Sequence, residues 1–151
     1  MNWQISVQKV ITSMVIVVTG PSTFRYIKVD HEFKNMSTVH SQLHTGGRVD
    51  DFAANYTCHA WTRDSGRLVV GTENGDILLC SANGEFETYL PRSPVGNAIQ
   101  TVIPYGRGII FAGEQGQIWP YEGSSNENEP YRPQQDCIRT DNRDRLDNPG
   151  D

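Results

Sequence analysis

The feature that most constrains this chain is a recurrence. The segment RLVVGTENGDILLCS (67–81) returns as GIIFAGEQGQIWPYE (108–122). Each copy carries a β-branched or apolar run, a glycine-bounded turn and a second apolar run. Aligning Gly71 with Gly113 places the copies 42 residues apart, and the strings before them, YTCHAWT (56–62) and AIQTVIP (98–104), align as well. A weaker copy, VIVVTGPSTFRYIKV (15–29), precedes both; Gly20 lies 51 residues before Gly71 because the polar stretch 41–54 intervenes. A unit of this size cannot bury its apolar face alone, so its stability comes from stacking on neighbours.

Within the unit the pattern predicts four short strands, Tyr56–Thr62, Arg67–Gly71, Asp76–Cys80 and Phe86–Leu90. They are separated by Asp64-Ser65-Gly66, Glu73-Asn74-Gly75 and Ala82-Asn83-Gly84. Asn-Gly between β-type runs is a strong hairpin signal because both residues tolerate positive φ. Turn roles therefore fall to Gly71, Asn74, Gly75, Asn83 and Gly84, and in the next copy to Gly113 and Gly116. No stretch sustains a 3.6-residue period, so little helix is expected.

Four strands repeating every ~40–45 residues are the mark of a β-propeller blade. The expected fold is all-β, a partial WD-repeat β-propeller of about two to three blades of four-stranded antiparallel sheets. Rings need roughly 4–8 blades, so the remaining blades are expected to lie outside this chain. Blade core is assigned to Trp61, Ile77, Cys80, Ile118 and Tyr121; Trp119 fits either core or an exposed interaction surface. The usual WD marks are degenerate. Gly75 and Ile77, and again Gly116 and Ile118, hold their places, but Cys80 and Tyr121 stand where tryptophan is usual. Pro120 removes a ladder donor and must sit where none is needed.

Only 36% of residues are hydrophobic, and the deficit is local. Residues 1–123 carry the propeller strands, interrupted by the polar loop 41–54. Residues 124–151 mix Asn, Pro, Asp, Glu and Arg, too little apolar surface to offset ordering entropy, and are expected to be a disordered tail. Thirteen Lys and Arg against eighteen Asp and Glu give a net charge of −5. That balance argues against phosphate-led nucleic-acid binding and against a polybasic membrane surface. The longest apolar run, Met14 to Val18, has strand length rather than the ~20 residues of a membrane span. Residues 1–20 read as folded β structure rather than a secretory leader. Cys58, Cys80 and Cys137 are too scattered for a disulfide framework or a metal knuckle.

No residue pattern carries catalysis, a cofactor or a metal. Cys58 and His59 are adjacent in a strand and must point to opposite faces, which argues against a thiolate–imidazole dyad. His31, His40 and His44 lack ligand spacing. The strings Gly71 to Gly75 and Gly113 to Gly116 lack the Lys-Ser/Thr of a phosphate loop and open strands rather than helices. Asp50, Asp51, Asp64 and Glu85 fall in different loops with no paired geometry. A propeller enzyme would need carboxylates or histidines converging at the channel, and none are visible.

The strings CHAW (58–61), RLVVGTENGDILL (67–79), Tyr105-x-x-Gly108 and VVTGPSTFRYIKV (17–29) resemble the WD-repeat part of the cilia- and flagella-associated protein 57 family. The resemblance covers about residues 10–123. Family members continue into further blades and a long coiled coil, so the chain is expected to be a piece of such a protein. The resemblance implies a non-enzymatic scaffold in the axoneme of cilia or flagella, in contact with other axonemal proteins, dynein arm components among them. It also implies support of inner dynein arm assembly and motility. The alternative is a WD-repeat adaptor of another cytoplasmic complex.

Overall fold

The computed structural model describes residues 3–10, 13–30, 32, 35–46, 54–63, 66–92, 98–134 and 138–139. Among them none is helical. Blade 1 holds β1 (Gln4–Val10), β2 (Ser13–Gly20), β3 (Thr23–Asp30) and β4 (Met36–His40). Blade 2 holds β5 (Tyr56–Trp61), β6 (Leu68–Thr72), β7 (Ile77–Cys80) and β8 (Phe86–Tyr89). Blade 3 holds β9 (Ile99–Tyr105), β10 (Gly108–Gly113), β11 (Gln117–Gly123) and β12 (Tyr131–Pro133), with the short β13 (Ile138–Arg139) also paired to β11. Each sheet is built on a four-stranded antiparallel meander in which consecutive strands pair. The three sheets stack face on face, with the first strands β1, β5 and β9 side by side along one edge of the stack.

Burial follows from how many faces each blade has covered. Blade 2 lies between two others, so every residue of LVVGT in β6 and ILLC in β7 is buried and neither strand shows polar alternation. Leu68, Val70, Leu78 and Cys80 face blade 1, where they meet Val15, Val17, Phe24, Tyr26 and Leu43. Val69, Ile77 and Leu79 face blade 3 and meet Ile99, Val102, Ile109, Phe111, Trp119, Tyr121 and Tyr131. Blade 1 has one covered face, and β2 alternates accordingly: Val15, Val17 and Thr19 are buried, Met14, Ile16 and Val18 only half-buried.

Two features differ from the sequence reading. The repeat register is one residue off. The turn glycines Gly75 and Gly116 are 41 residues apart, and the pair Gly71–Ile77 of blade 2 corresponds to Ala112–Ile118 of blade 3. Gly71 therefore matches Ala112 rather than Gly113. In a strand this slip reverses the face. Gly71 looks toward blade 3, against Ile99, whereas Gly113 lies against Trp119 in the interface with blade 2.

The second difference is in the segment after residue 123. Residues 124–134 are folded: Ser124 N–H donates to the Pro130 carbonyl (2.7 Å), Gln134 N–H to that of Pro120 (2.9 Å), and the strand between them completes blade 3. The physical reason is Tyr131, 2% exposed, whose ring fills the outer part of the second interface. Residues 135–137 and 140–151, the rest of the expected tail, lie outside the described residues, Cys137 among them. In the polar loop, Leu43 packs into the first interface, and residues 47–53 are outside the description.

Candidate functional site

A half-open groove of about 490 Å³ runs along the end of the stack where the β2–β3, β6–β7 and β10–β11 hairpins turn. All three blades line it. Blade 1 gives Pro21, blade 2 gives Asn55, Thr57 and Glu73, and blade 3 gives Gln100, Thr101 and Glu114. Asn55 organises the floor. Its Nδ2 donates to the Glu73 carboxylate (2.5 Å), its Oδ1 accepts the Ser22 N–H (3.1 Å), and its carbonyl accepts the Glu73 N–H (3.0 Å). One side chain thus ties the hairpin tips of blades 1 and 2, which brings Pro21 and Asn55 into an isolated bridge. Thr57 does the same between blades 2 and 3, its hydroxyl donating to the Ile99 carbonyl. The lining offers carboxylates, amides and hydroxyls and no Lys or Arg. Chemically it can accept and donate hydrogen bonds along an extended partner segment.

The residues that suggested other chemistry are held away from the groove. Cys58 sits in the interface with blade 3, where burial pushes its thiol up to about 11 against a weaker lowering by the Thr57 hydroxyl and the Gly71 backbone. His59 sits in the interface with blade 1, where burial lowers its pKa to about 4. Its Nδ1 shares a hydrogen bond with Thr19 Oγ1 (2.8 Å) and its Nε2 with Ser6 Oγ (2.6 Å). Gln4 spans its backbone, accepting the His59 N–H at 2.7 Å and donating to the His59 carbonyl at 3.0 Å. Near neutral pH both Cys58 and His59 are uncharged, and they lie on opposite faces of one sheet. Cys80 is fully buried, its thiol pushed up to about 12 by burial first and by Glu87 second.

Gly75, Gly84 and Gly116 have positive φ at hairpin turns, with Asn74 and Asn83 exposed just before the first two. Gly71 and Gly113 are strand residues instead. A Cβ at Gly71 would lie 2.7 Å from both Cys58 Sγ and Ile99, so glycine there permits close approach of β9 rather than a turn. Ile77 is buried toward blade 3 and Cys80 toward blade 1, while Trp61 is half-buried on the edge of the first interface. Tyr121 is buried in the second interface, its hydroxyl donating to the Pro91 carbonyl and raised to about 12 by burial. Trp119 is buried beside it. Ile118 is half-buried on the far face of blade 3 and belongs to neither interface. Asn55, Gln4, Ser6 and Thr19 escaped the sequence reading. Gln4 and Ser6 carried one signal, polar residues alternating with apolar ones in Gln4-Ile5-Ser6-Val7; Thr19 and Asn55 carried none.

No family model matches the chain. Over 80 residues, 52% of its length, the chain is 36% identical to "Cilia- and flagella-associated protein 57 A" of Tetrahymena thermophila, of which it spans 6%. Among solved structures it is similar to the β-propeller domain of Cps50 (Swd1) from Myceliophteria thermophila, with a TM-score of 0.56 and 14% identity. That match covers 85% of this chain and 43% of the other. The three stacked meanders and this likeness establish the fold as part of a β-propeller, in a chain similar in sequence over half its length to a cilia- and flagella-associated protein.

Proposed function

We propose that this chain is a non-enzymatic WD-repeat scaffold of motile cilia or flagella, holding other axonemal proteins together and supporting inner dynein arm assembly. The observation that carries the reading is the 36% identity over 80 residues to a protein named for cilia and flagella. The site chemistry agrees with it. The groove spans three blades, is lined by polar groups suited to a peptide segment, and keeps the thiol and imidazole of Cys58 and His59 out of reach.

The test is to express a tagged copy in a motile ciliated cell and to fractionate the cilia with detergent and salt. The tag is expected in the detergent-insoluble axoneme, with inner dynein arm subunits cross-linking to it. A tag spread through the cytosol with no ciliary enrichment would overturn the ciliary reading and favour an adaptor of another complex.

A further inference from the structure

The groove at the hairpin end of the stack carries two carboxylates at matched places. Gly75 and Gly116, both at positive φ, hold the same position in the β6–β7 and β10–β11 hairpins. Glu73 and Glu114, each two residues earlier, are therefore equivalents in neighbouring blades. Both are exposed and both line the groove. Blade 1 breaks the series: Gly20 pairs with Thr23, and the turn between them is Pro21-Ser22. The acidic part of the groove thus lies at the end of the interface between blades 2 and 3, which is packed within the chain.

Among the described residues no cation pairs with either carboxylate. Exposed carboxylates elsewhere do have one: Glu87 lies 3.5 Å from Arg67 and Glu129 lies 2.9 Å from Arg132. Arg92, at the β6–β7 tip, is engaged by that tip, donating to the Asn74 carbonyl and lying 3.5 Å from the buried Asp76 carboxylate. Glu73 is also held still. Asn55 donates to its carboxylate and is itself fixed by the Ser22 N–H. The buried Thr72 hydroxyl closes the same turn, accepting the Asp76 N–H (2.9 Å) and donating to the Asp76 carbonyl (3.2 Å). A charge fixed before a partner arrives loses less freedom on binding. Blade 3 adds the exposed amide of Gln100 and hydroxyl of Thr101, groups that hydrogen-bond a main chain.

We propose that the groove takes an extended basic segment of a partner protein, with lysine or arginine side chains seated on Glu73 and Glu114. The inference rests on reading the groove as a peptide site and adds the charge of the partner. Charge complementarity carries it: two carboxylates without a cation favour a basic segment and repel an acidic one. The spacing agrees. Stacked sheets lie ~10 Å apart, and alternate residues of an extended chain lie ~7 Å apart on one side. Two basic residues at i and i+2 therefore reach neighbouring hairpins once their long side chains splay. The net charge of −5 adds attraction at longer range.

A phage-displayed library of random heptapeptides, selected on the immobilised full 151-residue chain, tests this. Enriched peptides are expected to carry Lys or Arg at alternate positions and to bind more weakly as salt rises. Glu73→Gln keeps an oxygen for the Asn55 amide and removes only the charge, and Glu114 is exposed, so both glutamine variants are expected to keep the β-sheet circular dichroism signal. Each is expected to weaken a selected synthetic peptide about fivefold, and the two together on the order of twentyfold. Glu129→Gln, an equal loss of charge away from the groove, is expected to leave binding unchanged. Basic peptides weakened as much by Glu129→Gln as by Glu73→Gln would show general attraction to an acidic protein and overturn the proposal. Peptides without basic residues that are displaced by Thr101→Trp, which fills the groove from an exposed position, would overturn the basic partner and keep the groove as a peptide site. Enriched peptides indifferent to all three groove positions, or no enrichment, would overturn both.

Discussion

His59 occupies the position that Val102 holds in blade 3, and this one difference makes the first interface sensitive to acid. Burial lowers the imidazole pKa from 6.5 to about 4. In the unfolded chain the ring takes a proton near pH 6.5; in the fold it resists until about pH 4. Between those values the unfolded state holds more protons, so stability rises with pH. The stabilisation is complete above pH 6.5 and is lost as pH falls toward 4. Two and a half units at 1.36 kcal/mol each set its ceiling at roughly 3 kcal/mol. His59→Val is expected to flatten this part of the profile. At pH 7 the substitution is expected to cost about 1–3 kcal/mol, because the Ser6 and Thr19 hydroxyls lose their partner in a buried interface. Urea unfolding of both proteins between pH 4 and 7 isolates the effect, since every other titratable group is common to both. A wild-type slope that survives in His59→Val would assign the acid sensitivity elsewhere.

The hairpins carry interface contacts as well as turns. Gly84, at the β7–β8 tip, has φ of +80°, and a Cβ there would lie 2.5 Å from the Tyr26 ring of blade 1. Tyr26 in turn donates its hydroxyl to the Ala82 carbonyl, so the tip of one blade clasps the third strand of the other. Gly106, at the β9–β10 tip, has φ of +51° and nothing within 4 Å of its Cβ position. The left-handed backbone alone costs an alanine about 1–2 kcal/mol. Gly106→Ala is expected to lose about that much. Gly84→Ala is expected to lose about 1–2 kcal/mol more, because the ring must move as well. Equal shifts of the urea midpoint for the two variants would show that the clasp does not hold the blades. These hairpins also mark how far the sequence could be read. Asn74-Gly75 and Asn83-Gly84 are legible because positive φ is a local requirement, and with them the four strands of blade 2 fall within about one residue of their observed ends. Gly71 and Gly113 misled the register because glycine in an apolar run carries no record of which way the strand faces. β12 was illegible because Tyr131 is a single buried ring in a polar string, with its contacts made by blades far along the chain. The Gln4–His59 and Asn55–Ser22 bonds join residues 55 and 33 positions apart, beyond any local pattern.

At the scale of the whole molecule, stacked sheets behave as near neighbours in one dimension, each stabilised by its own ladder and by the faces it shares. Blade 2 shares both faces, and blades 1 and 3 share one each within the chain. Local opening should therefore be costliest at β6 and β7, whose residues are buried throughout, and cheapest at β4, whose described residues are almost all exposed. Hydrogen exchange followed by mass spectrometry is expected to give this gradient in dilute solution, with amides of Leu68–Thr72 and Ile77–Cys80 slowest and those of Met36–His40 fastest. Uniform exchange across the three blades would mean instead that the stack opens as one cooperative unit rather than from its ends.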